Sequence, residues 1–295
     1  MDVRYGENQA AAPLVADLDQ MYDGLLQKRE PVFYFLGNAA AGLIHGRGVN
    51  SGRDGEESGG TLMTSLDLGL QNTIEAVFTE TDATGCAVVT DHRTGQVLAM
   101  VSRDGKMDET GTGVNLAVEQ AYPLGKAYAL VQKTAAICGQ TPADTASALG
   151  MGVPVFEDYP GEDAGVLDGK KTTATAVQVS QVLAPIASGG NAMPLTLVMS
   201  AMKEKSIPCM EMTVDEVTAL ELLCVQLAEK PLIGDSWAVG YSGTYAIVVY
   251  LEKGEVAEIN SLMQEGSANK SLPQLRPQMF QGFLLNPGDI GPADA

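Results

Sequence analysis

Histidine, tryptophan, basic residues and clustered cysteine are all scarce in this chain, and each shortage removes a class of function. The two histidines, His45 and His92, lie far apart with no local ligand partner, which excludes a histidine-based metal site. Each is expected at a turn or on the surface. Cys86, Cys138, Cys209 and Cys224 are dispersed and form no Cys-x-x-Cys, so neither a zinc ribbon nor a thioredoxin motif is available, and buried free thiols are expected. Eighteen basic residues stand against 37 acidic ones, a net charge of -19 whose field repels nucleic acid and anionic lipid. No apolar run approaches the roughly 18 residues of a membrane span. Residues 1–30 also lack the basic and then apolar regions of a secretory signal. No metal and no cofactor are expected.

What remains is ample for a core: 295 residues, 45% of them hydrophobic, suffice for one large domain with or without a small appendage. From about Pro13, the residues Leu14, Leu18, Met21, Tyr22 and Leu25 follow helical spacing. An apolar run over 32–43 leads to GRGVNSGRDGEESGG, whose glycines and charges mark a linker. The domain division read from these shifts is 1–58 as an N-terminal segment and linker, 59–265 as the main domain, and 266–295 as an extended tail.

Within the main domain, a short strand precedes a helix that starts near Asp67 and carries Leu70, Ile74, Val77 and Phe78 on one face. CAVVTDHRTGQVLAMVS reads as a hairpin whose turn ends at Gly95, where glycine supplies a positive φ. A glycine-rich loop at 103–114 is followed by an apolar helix over 115–137, entered through Pro123-Leu124-Gly125. Loops are expected between Cys138 and Lys171, then a helix over 172–190 closed by Gly189-Gly190. A strand at about 194–201 and a helix over 213–229 follow, the helix opening on the capping box Thr213-Val-Asp-Glu216. SWAVGYSGTYAIVVYLE is a second hairpin. These periodicities by themselves imply a soluble α+β domain.

The order of these segments is more specific than any one of them. GGTLMTSLDLGLQNTIEAVF, GCAVVTDHRTGQVLAMVS, VNLAVEQAYPLGKAYALVQKTAAI and TTATAVQVSQVLAPIASGGNAMPLTLV occur in this succession. Together they resemble the transpeptidase domain of the penicillin-binding proteins, class B type. LDQMYDGLLQ at 18–27 resembles the stretch that precedes that domain, so the resemblance covers about residues 15–255. It implies a β-lactamase/transpeptidase-like fold, with a central, mostly antiparallel sheet and a helical cluster.

The resemblance also implies chemistry, which the residues here do not supply. Acyl transfer in the family needs a serine at a helix start, a lysine one turn on to take its proton, a Ser-x-Asn, and a Lys-Thr-Gly on an edge strand. Aligned on the turn, the first motif falls on Gly125-Lys126-Ala127-Tyr128-Ala129, so Lys126 replaces the serine and Ala129 the lysine. No other register restores it, because no serine lies between Ser102 and Ser147 and no threonine between Thr112 and Thr134. A lysine acylated at this position would give an amide, which water releases too slowly for turnover.

The region that should hold Ser-x-Asn offers Ser147-Ala148-Leu149. Ser200-Ala-Met-Lys203 and Ser267-Ala-Asn269 have the motif forms in the wrong places. For Lys-Thr-Gly, either Tyr241-Ser242-Gly243-Thr244 is the counterpart, or the strand is deleted between Glu229 and Asp235 and Trp237 begins the following hairpin. The second alignment fits the Trp-x-x-Gly-Tyr pattern better. Gly125, Lys126, Ala129, Tyr241, Ser242, Gly243 and Thr244 are therefore the residues of a candidate remnant cleft, with no catalytic residue among them.

The expected function is that of a pseudo-transpeptidase: a scaffold or partner-binding module of peptidoglycan synthesis or cell division, on the extracytoplasmic face of the bacterial membrane, with any anchor outside this sequence. Its partners would be other cell-wall proteins. The alternatives are a noncovalent binder of cell-wall stem peptide, with Lys126 pairing a carboxylate, and an acyltransferase with a relocated site at Ser200 and Lys203.

Overall fold

The computed structural model describes residues 14, 17, 32–36, 43–46, 61–103, 114–156, 159, 161–198, 207–208, 210 and 212–269. Strands β1 (Val32–Leu36), β2 (Leu43–Gly46) and β3 (Thr61–Asp67) come first. Helix α1 (Leu68–Glu80) and the hairpin β4 (Thr84–Asp91) and β5 (Gln96–Arg103) follow. Then come β6 (Tyr122–Pro123), a 3-10 turn over Gly125–Tyr128, α2 (Ala129–Ile137) and α3 (Pro142–Ala148). Beyond them lie β7 (Thr173–Ala174), α4 (Ala176–Ala187), β8 (Asn191–Ala192) and β9 (Ile207–Pro208). The last described elements are α5 (Val214–Glu229), β10 (Leu232–Ile233), β11 (Trp237–Ser242), β12 (Tyr245–Lys253) and α6 (Val256–Asn269).

The central sheet is antiparallel throughout, in the order β10-β11-β12-β4-β5. Its inner strands are apolar at nearly every position because both faces are covered. Cys86, Val88, Ala246, Val248, Val239 and Tyr241 face a core shared with α2, α4 and α5. The alternate residues Ala87, Val89, Ile247 and Val249 face a second core with Leu70, Ile74 and Phe78 of α1 and Val256 and Ile259 of α6. The sheet thus lies between two helical layers, the mixed α+β architecture expected.

Local signals act as their chemistry dictates. Asp67 caps α1 by accepting from the Leu70 amide at 3.0 Å. Thr175 with Gln178, and Thr213 with Glu216, form complete capping boxes. Gly95 takes φ 73° in the β4–β5 turn, and a side chain there would meet the Pro194 carbonyl at 2.2 Å. The edge strand β5 is finished by a side chain: Gln71 accepts from the Met100 amide and donates to the Met100 carbonyl, both at 2.8 Å. Its amide thereby takes the place of a neighbouring strand.

Several expectations need correction. The helix expected over 115–137 begins only at the 3-10 turn. Pro123 locks φ and offers no N–H, so Asn115 to Glu119 close a single turn instead, with the Asn115 carbonyl accepting from Val118 and Glu119. The loop expected between Cys138 and Lys171 contains α3, capped by Thr141 with Pro142 in its first turn. The strand at 194–201 is reduced, in its described part, to single bridges at Thr196 and Val198.

Helix α6 carries the chain to Asn269, past the point where an extended tail was expected to begin; 270–295 lie outside the described residues. Segment 1–58 contributes directly to the folded unit. β1 pairs in parallel with β3, and Leu14 is buried in the main core. Of the helix expected from Pro13, Leu14 and Asp17 are described, both helical; Leu18, Met21, Tyr22 and Leu25 lie outside the described residues, as do the linker, Cys209, Ser200 and Lys203. Ser267 and Asn269 lie on α6. Cys86 is a buried free thiol, whereas Cys138 and Cys224 are free and half-buried. His92 sits in the β4–β5 turn, and His45 lies within β2 rather than in a turn.

Candidate functional site

The site grows from the turn that delivers the chain into α2. β6 pairs with β7, and the Leu124 amide donates to the Thr172 carbonyl at 3.1 Å. From below, the Trp237 indole donates to the Pro123 carbonyl at 2.9 Å, and Tyr250 stacks on Tyr122 with 3.7 Å between ring centroids. Trp237 and Tyr250 are themselves packed at 4.8 Å. This aromatic cluster holds the turn rigidly over the start of β11. Gly125 then adopts φ 51°, and Leu124, Ala127, Leu130 and Val131 drive the helix into the core. The conformation turns Lys126 outward.

Lys126 is exposed, and its Nζ lies 2.7 Å from Oδ1 of Asp235, in the β10–β11 connection. Gly234 lies beneath the lysine stem: a Cβ added there would stand 3.3 Å from the Lys126 Cβ. Ala129, one turn along, is half-buried and offers only a methyl group. The ion pair spans the gap between the helix start and edge strand β10. Both partners are solvated, so it contributes position more than stability.

The remaining candidate residues are not brought here. Tyr241 lies four residues along β11 from Trp237, a distance of about 13 Å in an extended strand. It is a core residue: its hydroxyl donates to the Leu183 carbonyl of α4 at 2.7 Å, and its ring meets His92 edge-on at 5.9 Å. Burial pushes its phenol far above the usual range. Ser242 ends β11, and Gly243 and Thr244 form the β11–β12 turn, where the Thr244 carbonyl accepts from the His92 amide. Gly125, Lys126 and Ala129 thus share one end of β11, and Tyr241 to Thr244 the other. Ser147 is exposed at the end of α3, while Leu149 is buried.

Two features of the site were missed in the sequence. The interval between Glu229 and Asp235 is not empty of structure: β10 occupies it, at the sheet edge and antiparallel to β11. Asp235 was not singled out as a partner of Lys126, since an exposed acid in a chain this acidic carries no signal of its own.

A buried polar network stands behind the turn. The Asp17 carboxylate accepts from the Tyr159 hydroxyl at 2.5 Å, which in turn accepts from the Asn115 side-chain amide at 2.7 Å. Glu119 accepts from the Asn115 backbone amide at 2.6 Å. Burial raises the pKa of both carboxyls, and Asp17 raises that of Glu119 further by charge repulsion. These groups knit the 115–119 turn to the N-terminal segment. Among the described residues, no cluster of three or more His, Cys, Asp or Glu can hold a metal ion, and no helix is long and apolar enough to cross a membrane.

Comparison with protein-family models and with curated proteins yields no match. Comparison with solved structures does. Pseudomonas aeruginosa PBP2, solved in complex with WCK 5153, superposes with a TM-score of 0.53 at 15% identity, covering 72% of this chain and 78% of that one. Penicillin-binding protein A from M. tuberculosis, solved as an imipenem acyl-enzyme complex, gives a TM-score of 0.53 at 13% identity, covering 72% of this chain and 80% of that one. The chain therefore has the fold of penicillin-binding protein transpeptidase domains.

Proposed function

We propose that this chain is a catalytically inactive transpeptidase-like module that works by binding, as a scaffold or partner-binding component of peptidoglycan synthesis or cell division on the extracytoplasmic side of a bacterial membrane. The observation that carries this reading is the helix start at 125–129. An acyl-enzyme requires a hydroxyl or thiol there, with a base one turn along. Here the first position is an amine already paired to Asp235, and the second is the methyl of Ala129. Lys126 is solvated, so it lacks the desolvated pocket by which enzymes turn lysine into a neutral nucleophile.

Edge strand β10, Leu232-Ile233, lies beside this helix start and carries no Lys-Thr-Gly, the motif that the family holds on an edge strand. This position supports the part of the second alignment in which β11 is the next strand, with β10 standing where a deletion was expected, and Tyr241 lies in the core away from Lys126. The fold supplies the family context, and the residues withhold its reaction.

Incubation with a fluorescent penicillin tests the reading, followed by denaturing electrophoresis and intact-mass measurement. No covalent adduct is expected. A heat-stable label on any serine, Ser200 included, would establish an acylating site and overturn the proposal.

A further inference from the structure

Helix α5 has two apolar faces, and among the described residues only one of them is packed against the core. Leu220, Leu223 and Leu227 are buried against the main core. At 100° per residue, Val214, Thr218, Leu222 and Val225 form a stripe on the opposite side. Val214 is 81% exposed, Leu222 59% and Val225 53%, and the Thr218 hydroxyl is already engaged by the Val214 carbonyl. Single exposed apolar residues are ordinary on a protein surface, whereas a stripe at i, i+4, i+8 and i+11 on a well-capped helix is an ordered contact surface. The capping box at Thr213 and the buried leucines hold that stripe in register.

The rim defines what fits. Asp215 borders the stripe on one side and Glu221 on the other, and Glu229 closes its C-terminal end, all three exposed. The helix holds four acidic residues and no basic one. A second copy of this chain would bring the same acidic rim against itself, on a molecule of net charge -19. We infer that the outer face of α5 is a docking surface for a partner segment that presents apolar side chains flanked by lysine or arginine. A basic amphipathic helix laid along the stripe satisfies both the apolar centre and the acidic border. This inference rests on the reading of the chain as a binding module, and it names the surface that does the binding.

The test uses the full chain and a synthetic helical peptide with leucine at i, i+4, i+8 and i+11 and lysine at the flanking positions, followed by fluorescence anisotropy. The expected result is saturable binding that weakens at least tenfold in the variant Leu222→Ser/Val225→Ser and weakens with added salt. Replacing the peptide lysines by glutamate should abolish binding. Equal affinity for the native chain and the variant would mean that the peptide merely follows net charge, and would overturn the inference. So would a native dimer that the same variant dissociates in sedimentation, since the occupant would then be a second copy. The penicillin assay is independent of this one: an adduct removes the inactive reading, while loss of the stripe effect removes only the α5 surface.

Discussion

Replacing Glu75 by glutamine should stabilise the chain, and more so as pH rises. Glu75 lies on α1 against β5, 4% exposed, and burial pushes its carboxyl from 4.5 up to about 7. Its stabilising interaction is a hydrogen bond from Gln71 Nε2 to Oε1 at 2.8 Å, which lowers the pKa by less than burial raises it. Because the folded-state value lies above the unfolded one, this group supports folding fully below pH 4.5 and loses that contribution as pH climbs through about 7. Each pH unit in that interval is worth about 1.4 kcal/mol, so the total is about 3 kcal/mol.

Glutamine keeps the shape and an oxygen for Gln71, and does not ionise. Urea unfolding of both proteins at pH 5, 7 and 8.5, followed by circular dichroism, isolates the effect. Other carboxyls whose pKa burial raises, the half-buried Asp17, Glu119 and Glu162 among them, titrate in both proteins and cancel in the difference. The glutamine variant should gain on the native chain by about 2–3 kcal/mol between pH 5 and 8.5. A difference that stays flat across that range would refute the claim that Glu75 is buried against its charge.

Two further substitutions separate core from cleft. Tyr241→Phe should cost about 1 kcal/mol in urea unfolding, through loss of the hydrogen bond to Leu183, and should leave the α5 peptide titration unchanged. Lys126→Ala should leave the melting temperature within about 2 °C of the native value, since its partner Asp235 is solvated; a large fall in calorimetry would show that the pair holds the helix start in place.

The parts of this chain that were legible from sequence are those written in neighbouring residues. Asp67, Thr175 and Thr213 cap helices because each places a side-chain oxygen within reach of amides two or three positions on. The two hairpins follow from apolar runs around Gly95 and Gly243. The parts missed were also partly written there: Thr141-Pro142 is a helix start, and Val256, Ile259 and Asn260 have helical spacing. Both segments are short or polar, so packing against α2 and against α1 with β11, rather than local preference, holds them as helices.

Sequence alone also determined which chemical groups stand at the start of α2. That Lys126 and Ala129 occupy those places is a matter of identity, and no fold can change it. Tertiary structure decided where the groups go. It separated Tyr241 from Lys126 along a strand whose rise per residue is fixed, and it turned Tyr241 into the core because alternate residues of β11 face opposite layers. It brought Asp235 to Lys126 from far along the chain and set β10 at the sheet edge beside them, contacts that depend on the closing of the whole sheet and that local pattern does not encode.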